Sequence, residues 1–134
     1  MTPGYWKSNA ENWGAGAWYV EDPTDKFNTV FGTSATLKLS KDKSTTDKGS
    51  ASDPTLYGAL GAVGGDVNAL ARHCVAAKLN VENPDVNYPM TYDEVINQCH
   101  DAIVSGDKNT MNALKDILDG YNNLGADISQ HWPN

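Results

Sequence analysis

Three amphipathic segments dominate the second half of the chain. In each segment apolar residues recur every three or four positions, which is typical of an α-helix with one buried face. The first segment spans about residues 66–79, the second begins after Thr91 and ends before Gly106, and the third spans about residues 107–120. Thr91 and Glu94 have the spacing of a capping box, which marks the start of the second helix. The pattern predicts three main helices around a shared core.

Shorter helices are expected upstream. Phe27 and Phe31 lie four residues apart and a glycine follows, which predicts a short helix over about residues 25–31. The Asp53-Pro54 pair, an N-cap candidate followed by proline, predicts another that continues through Leu60. Between them, residues 33–52 are rich in Ser, Thr, Lys and Asp, which indicates a long loop or an insertion.

These elements predict an all-α fold. We expect one compact helical domain over residues 1–134, with three main helices, short helices, an aromatic-rich N-terminal segment and the long loop at about 33–52. A chain of 134 residues with 40% hydrophobic content is large enough to bury a single modest core.

Charge narrows the possible partners. The chain has 17 acidic and 10 basic residues, a net charge of -7, which repels both a phosphate backbone and an anionic membrane. No stretch approaches the ~18 apolar residues of a membrane span. We therefore expect no nucleic-acid partner and no membrane insertion. Neither a basic n-region nor an apolar h-region opens the chain, so an exported form would be one whose signal peptide has been removed.

Aromatic residues crowd the N-terminal segment. Five aromatic residues lie between positions 5 and 19, namely Tyr5, Trp6, Trp13, Trp18 and Tyr19. Large aromatic side chains dominate core burial, which favours a hydrophobic cluster that attaches the N-terminus to the helices. If exposed in a row, these rings would instead form a sugar-stacking platform. In that interpretation Tyr5, Trp6, Trp13 and Trp18 are the candidate ligand-binding residues.

The two cysteines lie in the apolar stripes of the first two main helices. If those helices are neighbours, Cys74 and Cys99 can form a disulfide, which closes a loop of about 26 residues and stabilises the fold by roughly 3 kcal/mol. The alternative is two buried free thiols that pack as small hydrophobes.

The histidines do not suggest a shared metal site. His73 precedes its neighbouring cysteine and His100 follows the other, so the two imidazoles should point to opposite flanks of the helix pair. No His-x3-His or Cys-x2-Cys spacing is present.

A weak calcium site is the one metal-binding candidate. Glu82, Asp85 and Asn87 lie in a proline-containing connection and could supply oxygen ligands, although the stretch lacks the DxDxDG spacing of a dedicated calcium loop. We otherwise expect no cofactor, and no motif assigns a catalytic residue.

Several short motifs, spread over most of the chain, form a recognisable set. They are Thr2-Pro3-Gly4-Tyr5-Trp6-Lys7 with Trp13, Phe27 and Phe31-Gly32, Asn68-Ala69-Leu70-Ala71-Arg72-His73, Ala76-Ala77, Leu79-Asn80, Asn87-Tyr88-Pro89, and Asn122-Asn123-Leu124-Gly125. Together they resemble a module of secreted and cell-surface bacterial and archaeal proteins that opens with a TPGYWKNH-like motif. Residues 33–52 lie outside the resemblance. Ser8-Asn9 replace the Asn-His often found in that family, so no role of that histidine is carried over.

The resemblance implies an extracellular setting and a non-catalytic module, and it favours the disulfide. We therefore expect an extracellular or cell-surface protein that serves in surface structure or adhesion, as a module or as a subunit of an assembly, and we expect no catalytic activity. Its expected partners are other copies of the protein or a surface glycan. The alternatives are a carbohydrate-binding module and a secreted hydrolase with an unrecognised site.

Overall fold

A computed structural model of the protein describes residues 1–8, 23–83 and 86–124. Over these ranges the chain forms six helices and two short strands. In chain order these are α1 Pro3–Ser8, α2 Phe27–Phe31, β1 Gly49–Ser50, β2 Asp53–Pro54, α3 Leu56–Leu60, α4 Val67–Glu82, α5 Tyr92–Ser105 and α6 Lys108–Leu124. The strands are antiparallel, with Gly49 opposite Pro54 and Ser50 opposite Asp53. The fold is therefore mainly helical, and the prediction of a purely all-α fold needs this correction.

The small sheet forms where a helix start was expected. Asp53 and Pro54 form β2 instead of opening a helix, and α3 begins two residues later, where the Thr55 side chain accepts a hydrogen bond from the Gly58 backbone. Thr55 is also tied to the opposite arm of the hairpin, because its backbone N–H donates to the Lys48 carbonyl over 3.0 Å. Because Thr55 both caps α3 and pairs with the hairpin, the helix begins after Thr55 and not at the Asp-Pro pair.

The three predicted main helices are present, and their ends follow the expected signals in part. The capping box at Thr91 and Glu94 is complete, with both reciprocal hydrogen bonds formed. Gly106 ends α5 in the left-handed conformation, at a φ of 65°. The third helix continues past Gly120 to Leu124, so that glycine is an interior helical residue and not a cap.

Helix α4 lies at the centre of the core. It packs against α1, α3, α5 and α6. From position 74 to position 80 every residue of α4 is buried, so the helix is enclosed on all sides over this part and not along a single stripe. Polar side chains in this part must therefore find partners inside the protein.

The segment between α2 and the hairpin has little regular structure but is attached to the core. Leu37 is 1% exposed, and its backbone N–H donates to the Ala51 carbonyl over 2.9 Å. The Lys48 ammonium donates to the carbonyls of Ser40 and Asp42 over 2.9 and 2.7 Å, and it also pairs with the Asp42 carboxylate. The buried Leu37 side chain attaches this segment to the core, and the Lys48 ammonium joins two parts of the segment to each other. The Asp42 carboxylate also pairs with Lys7 of α1.

Candidate functional site

A buried hydrogen-bond network joins α1, α4 and α6, and Asn80 is its centre. The side-chain oxygen of Asn80 accepts from the Met1 amine over 2.9 Å and from the Trp6 indole N–H over 3.0 Å. The side-chain nitrogen donates to the Met1 carbonyl over 2.8 Å and to the Asn122 side-chain oxygen over 3.0 Å. Asn80 and Asn122 are both fully buried. All of the hydrogen-bonding capacity of the Asn80 amide is thus used inside the protein.

The network continues from Asn122 to Tyr88 and His73. The Tyr88 hydroxyl donates to the Asn122 oxygen over 2.7 Å. The Asn122 nitrogen lies 3.2 Å from Nδ1 of His73 and 3.3 Å from the His73 carbonyl oxygen. Because an amide N–H₂ donates, Nδ1 is assigned as the acceptor and the neutral imidazole carries its proton on Nε2. That nitrogen lies 3.9 Å from the Asp119 carboxylate.

Burial sets the charge state of this network. Desolvation lowers the pKa of His73. The Asp119 carboxylate raises it, but by less. The nearby charges of Arg72 and Lys115 lower that pKa further, and Asp116 raises it. Burial, followed by the neighbouring Tyr121, raises the pKa of Tyr88 above its usual value. Burial lowers the pKa of the Met1 amine to about 5. At neutral pH the network is therefore composed of neutral groups, which suits a dry interior.

The network joins residues from five of the short motifs named in the sequence analysis. Trp6, His73, Asn80, Tyr88 and Asn122 belong to five separate motifs along the chain, and the fold brings all five into one set of hydrogen bonds. Their donors and acceptors face one another. The arrangement can hold α1, α4 and α6 in register, because a buried polar network is favourable only when its members are all paired.

A surface groove is the second feature with the shape of a site. It encloses about 540 Å³, a volume typical of ligand pockets. One wall is the stretch from Gly32 to Thr36, and the other is formed by the end of α5 and the starts of α4 and α6. The second wall comprises Val67, Ile103, Val104, Gly106 and Met111. The lining groups are apolar side chains, hydroxyls and backbone, which suit binding better than acid–base chemistry.

His100 and Gly32 fix the first wall of the groove against α5. Nδ1 of His100 lies 2.9 Å from the Phe31 carbonyl oxygen, so this imidazole nitrogen donates to the end of α2. Gly32 follows in the left-handed conformation at a φ of 67°, and a side chain there would approach the His100 ring to 3.3 Å. His73 and His100 thus contact different elements, α6 and α2.

The aromatic residues predicted to bind a ligand do not share one environment. Trp6 has no exposed surface, and its indole N–H is bonded to Asn80. Tyr5 is half-buried and packs edge-on against Trp6, with ring centroids 5.4 Å apart. Trp13 and Trp18 lie outside the described residues. Trp6 therefore presents no ring face to a sugar and acts as core, and the platform stays a prediction for the other three.

The disulfide prediction is confirmed. Cys74 of α4 and Cys99 of α5 are bonded to each other, with Cα atoms 6.2 Å apart and both side chains fully buried. The cross-link lies in the middle of the interface between the two helices, as expected for two cysteines at the centres of their apolar stripes.

The candidate calcium ligands are not brought together as a described cluster. Glu82 accepts a hydrogen bond from the Lys78 ammonium over 2.8 Å, and Asn87 is exposed. Asp85 lies outside the described residues, so the calcium site stays a prediction. Within residues 1–8, 23–83 and 86–124, no three His, Cys, Asp or Glu side chains are grouped as metal ligands.

The pair of Lys78 and Glu82 gives a testable stability effect. The Lys78 ammonium is buried, pairs with Glu82 and lies 5.1 Å from the centre of the Tyr92 ring. We expect Glu82→Gln to lower the free energy of unfolding by about 2 kcal/mol, because it weakens a charged hydrogen bond to a buried cation. Urea denaturation measures the loss.

A matched double variant tests the cause of that loss. Lys78→Met removes the buried charge but keeps the apolar stem, so Lys78→Met/Glu82→Gln should recover most of the stability. A double variant as unstable as the sum of both single changes would contradict the pairing.

The depressed pKa of His73 predicts that the fold loses stability in mild acid. The folded protein disfavours the imidazolium. The stability contributed by the neutral imidazole is therefore fully present above the unfolded pKa of about 6.5 and is lost as the pH falls through the folded pKa. The urea midpoint should therefore fall between pH 8 and pH 5. The Met1 amine acts in the same direction, because burial lowers its pKa as well.

His73→Asn isolates the imidazole contribution. Asparagine keeps an acceptor near the position of Nδ1 but does not titrate. We expect the variant to show a shallower fall of the urea midpoint than the wild type over the same pH range. Equal slopes would show that His73 does not carry the effect.

Two important polar residues could have been found from the sequence. Asn122 follows Met111, Leu114 and Leu118 at helical spacing, so it lies on the apolar stripe of α6. Asn80 likewise follows Ala76 and Ala77 on α4. A polar residue that continues a buried stripe indicates an internal hydrogen bond. The groove had no comparable signal, because three distant segments form it.

Comparison with known proteins adds no relative. The chain matches no known protein family, and no curated protein or solved structure is detectably similar to it. None of the helices in the described ranges has the length and apolar character needed to cross a membrane.

Proposed function

We propose that the protein is a non-catalytic extracellular module with a structural or adhesive role, within a larger surface protein or as a subunit of a surface assembly. The observation that carries the proposal is the fully buried disulfide between α4 and α5. Disulfides persist in oxidising compartments and are rare where thiols are kept reduced. The resemblance of the motifs to a secreted and cell-surface module points in the same direction.

The use of the polar residues supports a structural role. His73 and His100 each use Nδ1 to join two elements, α4 with α6 and α5 with α2 respectively. Trp6 and Tyr88 donate their polar hydrogens into the same internal network. Side chains that often perform chemistry or bind ligands are here committed to holding the fold. A module that is cross-linked in this way is suited to a structural or adhesive role outside the cell.

Size-exclusion chromatography with light scattering tests the proposal. The non-reduced protein is measured over a concentration series, with and without calcium, at an ionic strength of about 0.15 M, where charges separated by more than about 8 Å are screened. We expect a mass that rises with concentration above the 14.4 kDa of one chain. A single chain under every condition would contradict the assembly and favour a carbohydrate-binding module, which a glycan array would then examine.

A further inference from the structure

The wall of the groove from Thr33 to Thr36 is a strand-like stretch, outside the two strands of the sheet, whose burial and hydrogen bonds alternate as in an extended chain. Burial alternates along it: Ala35 and Leu37 are buried, whereas Ser34 and Thr36 are exposed. The Ala35 N–H donates to the Asn28 side-chain oxygen over 2.9 Å, and its carbonyl accepts from the Asn28 nitrogen over 3.0 Å. The Asn28 amide thus pairs with Ala35 as a neighbouring strand would.

The opposite edge of this stretch is open at Ser34 and Thr36, whereas further along it the Lys38 N–H and C=O are bonded to Asn68 and Val63. In an extended strand the N–H and C=O of one residue point to the same side, and those of its neighbours point to the other side. The backbone groups of Ser34 and Thr36 therefore point away from Asn28. Among the described residues, no hydrogen bond engages the N–H or the C=O of either residue. Both residues line the groove, so their open backbone groups lie along its wall.

The other wall of the groove offers an apolar surface to match this edge. Ile103, Val104 and Met111 lie across from the strand, and Val104 is 63% exposed. No aromatic ring is among the lining residues, so the flat face of a sugar would have no stacking partner there. An open backbone edge beside an apolar wall is instead the geometry that binds an extended peptide by strand addition.

Acidic residues next to two of the lining positions favour a basic end on that peptide. Asp107 follows the lining residue Gly106, and Asp66 precedes the lining residue Val67. Lys108 lies 3.9 Å from Asp66. Asp107 has no basic partner within 4.0 Å in the described part of the chain, and its hydrogen bonds from Thr110 favour the ionised form. A lysine or arginine would complement this end of the groove.

We propose that the groove binds an extended polypeptide segment of a partner protein by strand addition. The backbone of the segment pairs with Ser34 and Thr36, its alternate apolar side chains cover Val104 and Ile103, and a basic residue lies near Asp107. Four paired residues extend over about 13 Å, so a segment of about six residues is sufficient. The inference rests on the proposed function in one respect, that the module acts by binding other proteins.

Nuclear magnetic resonance with a defined peptide tests the inference. The probe is acetyl-Lys-Val-Thr-Val-Thr-Val-Lys-amide, titrated to about 5 mM into the ¹⁵N-labelled protein, since single-strand addition of a generic peptide is weak. We expect saturable shifts of the Ser34 and Thr36 amide signals and slower hydrogen exchange at both. No saturable shift at these amides at the highest concentration would overturn the inference.

Modified peptides and two protein variants sharpen the test. N-methylation of the peptide on one set of alternate residues should weaken binding at least 10-fold, and on the other set should leave it within about 2-fold, because successive backbone groups point to opposite sides. Val104→Glu should weaken binding at least 10-fold. Ile117→Glu is the matched control, because Ile117 is also exposed but is not among the groove residues. Equal effects of both variants, or of both methylation patterns, would overturn the inference.

Light scattering and peptide titration of the wild type separate this inference from the proposed function. If the wild type assembles in light scattering and binds no peptide, strand addition at the groove is wrong and the structural role stands. If the wild type binds the peptide through Ser34 and Thr36 but stays a single chain under every condition, the groove is confirmed and self-assembly is wrong.

Discussion

Removing the disulfide should lower the free energy of unfolding by about 3 kcal/mol. Cys74 and Cys99 are separated by 25 positions, and a cross-link over a loop of this length restricts the unfolded chain by about that amount. The double variant Cys74→Ala/Cys99→Ala removes the bond without adding a buried polar group to the interface of α4 and α5. Urea denaturation should show a lower midpoint. The slope should rise somewhat, because the unfolded chain is less compact without the cross-link.

The reducing agent provides the control for this prediction. Both sulfurs are fully buried, so dithiothreitol should act on the wild type mainly when it unfolds. In urea with dithiothreitol the wild type should approach the midpoint of the double variant, whereas the midpoint of the variant should not change. A double variant as stable as the oxidised wild type would show that packing alone holds α4 and α5 together. That result would also weaken the argument for an oxidising environment.

The sequence predicts those parts of the fold that depend on neighbouring residues. The capping box at Thr91 and Glu94 and the left-handed glycine at position 106 need only local backbone geometry, and both form as expected. The disulfide follows from two cysteines at the centres of apolar stripes. The hairpin was missed because Thr55 bonds to Lys48 and to Asp47, seven and eight positions upstream. Tertiary hydrogen bonds of this kind override a local Asp-Pro signal.

The candidate sites show the same division. The aromatic density at the N-terminus correctly suggested burial for Trp6. Its partner Asn80 lies 74 positions away, so the stripe of α4 indicates an internal hydrogen bond of Asn80 but not its partner. The groove is built from the end of α2, the end of α5 and the starts of α4 and α6. Its open strand edge depends on one side chain, Asn28, that pairs with Ala35. An asparagine that replaces a neighbouring strand cannot be distinguished in sequence from an asparagine on a helix surface.

Replacing Asn80 should produce the largest loss of stability. Asn80→Leu keeps the approximate volume but leaves the Trp6 N–H and both backbone groups of Met1 without their buried partner. Each unsatisfied buried group costs about 1–3 kcal/mol, so we expect a loss of about 4 kcal/mol in the free energy of unfolding. Urea denaturation measures it. Asn97→Leu is the control, because Asn97 is exposed on α5 and should change stability by about 0.5 kcal/mol or less.

A double-mutant cycle shows whether the network acts as a unit. Asn80 donates to Asn122, so Asn80→Leu and Asn122→Leu disrupt one shared hydrogen bond. If the network holds α4 and α6 together, the double variant should lose less stability than the sum of the two single losses, because the second change removes a contact already absent. Strictly additive losses would show that the two amides act separately.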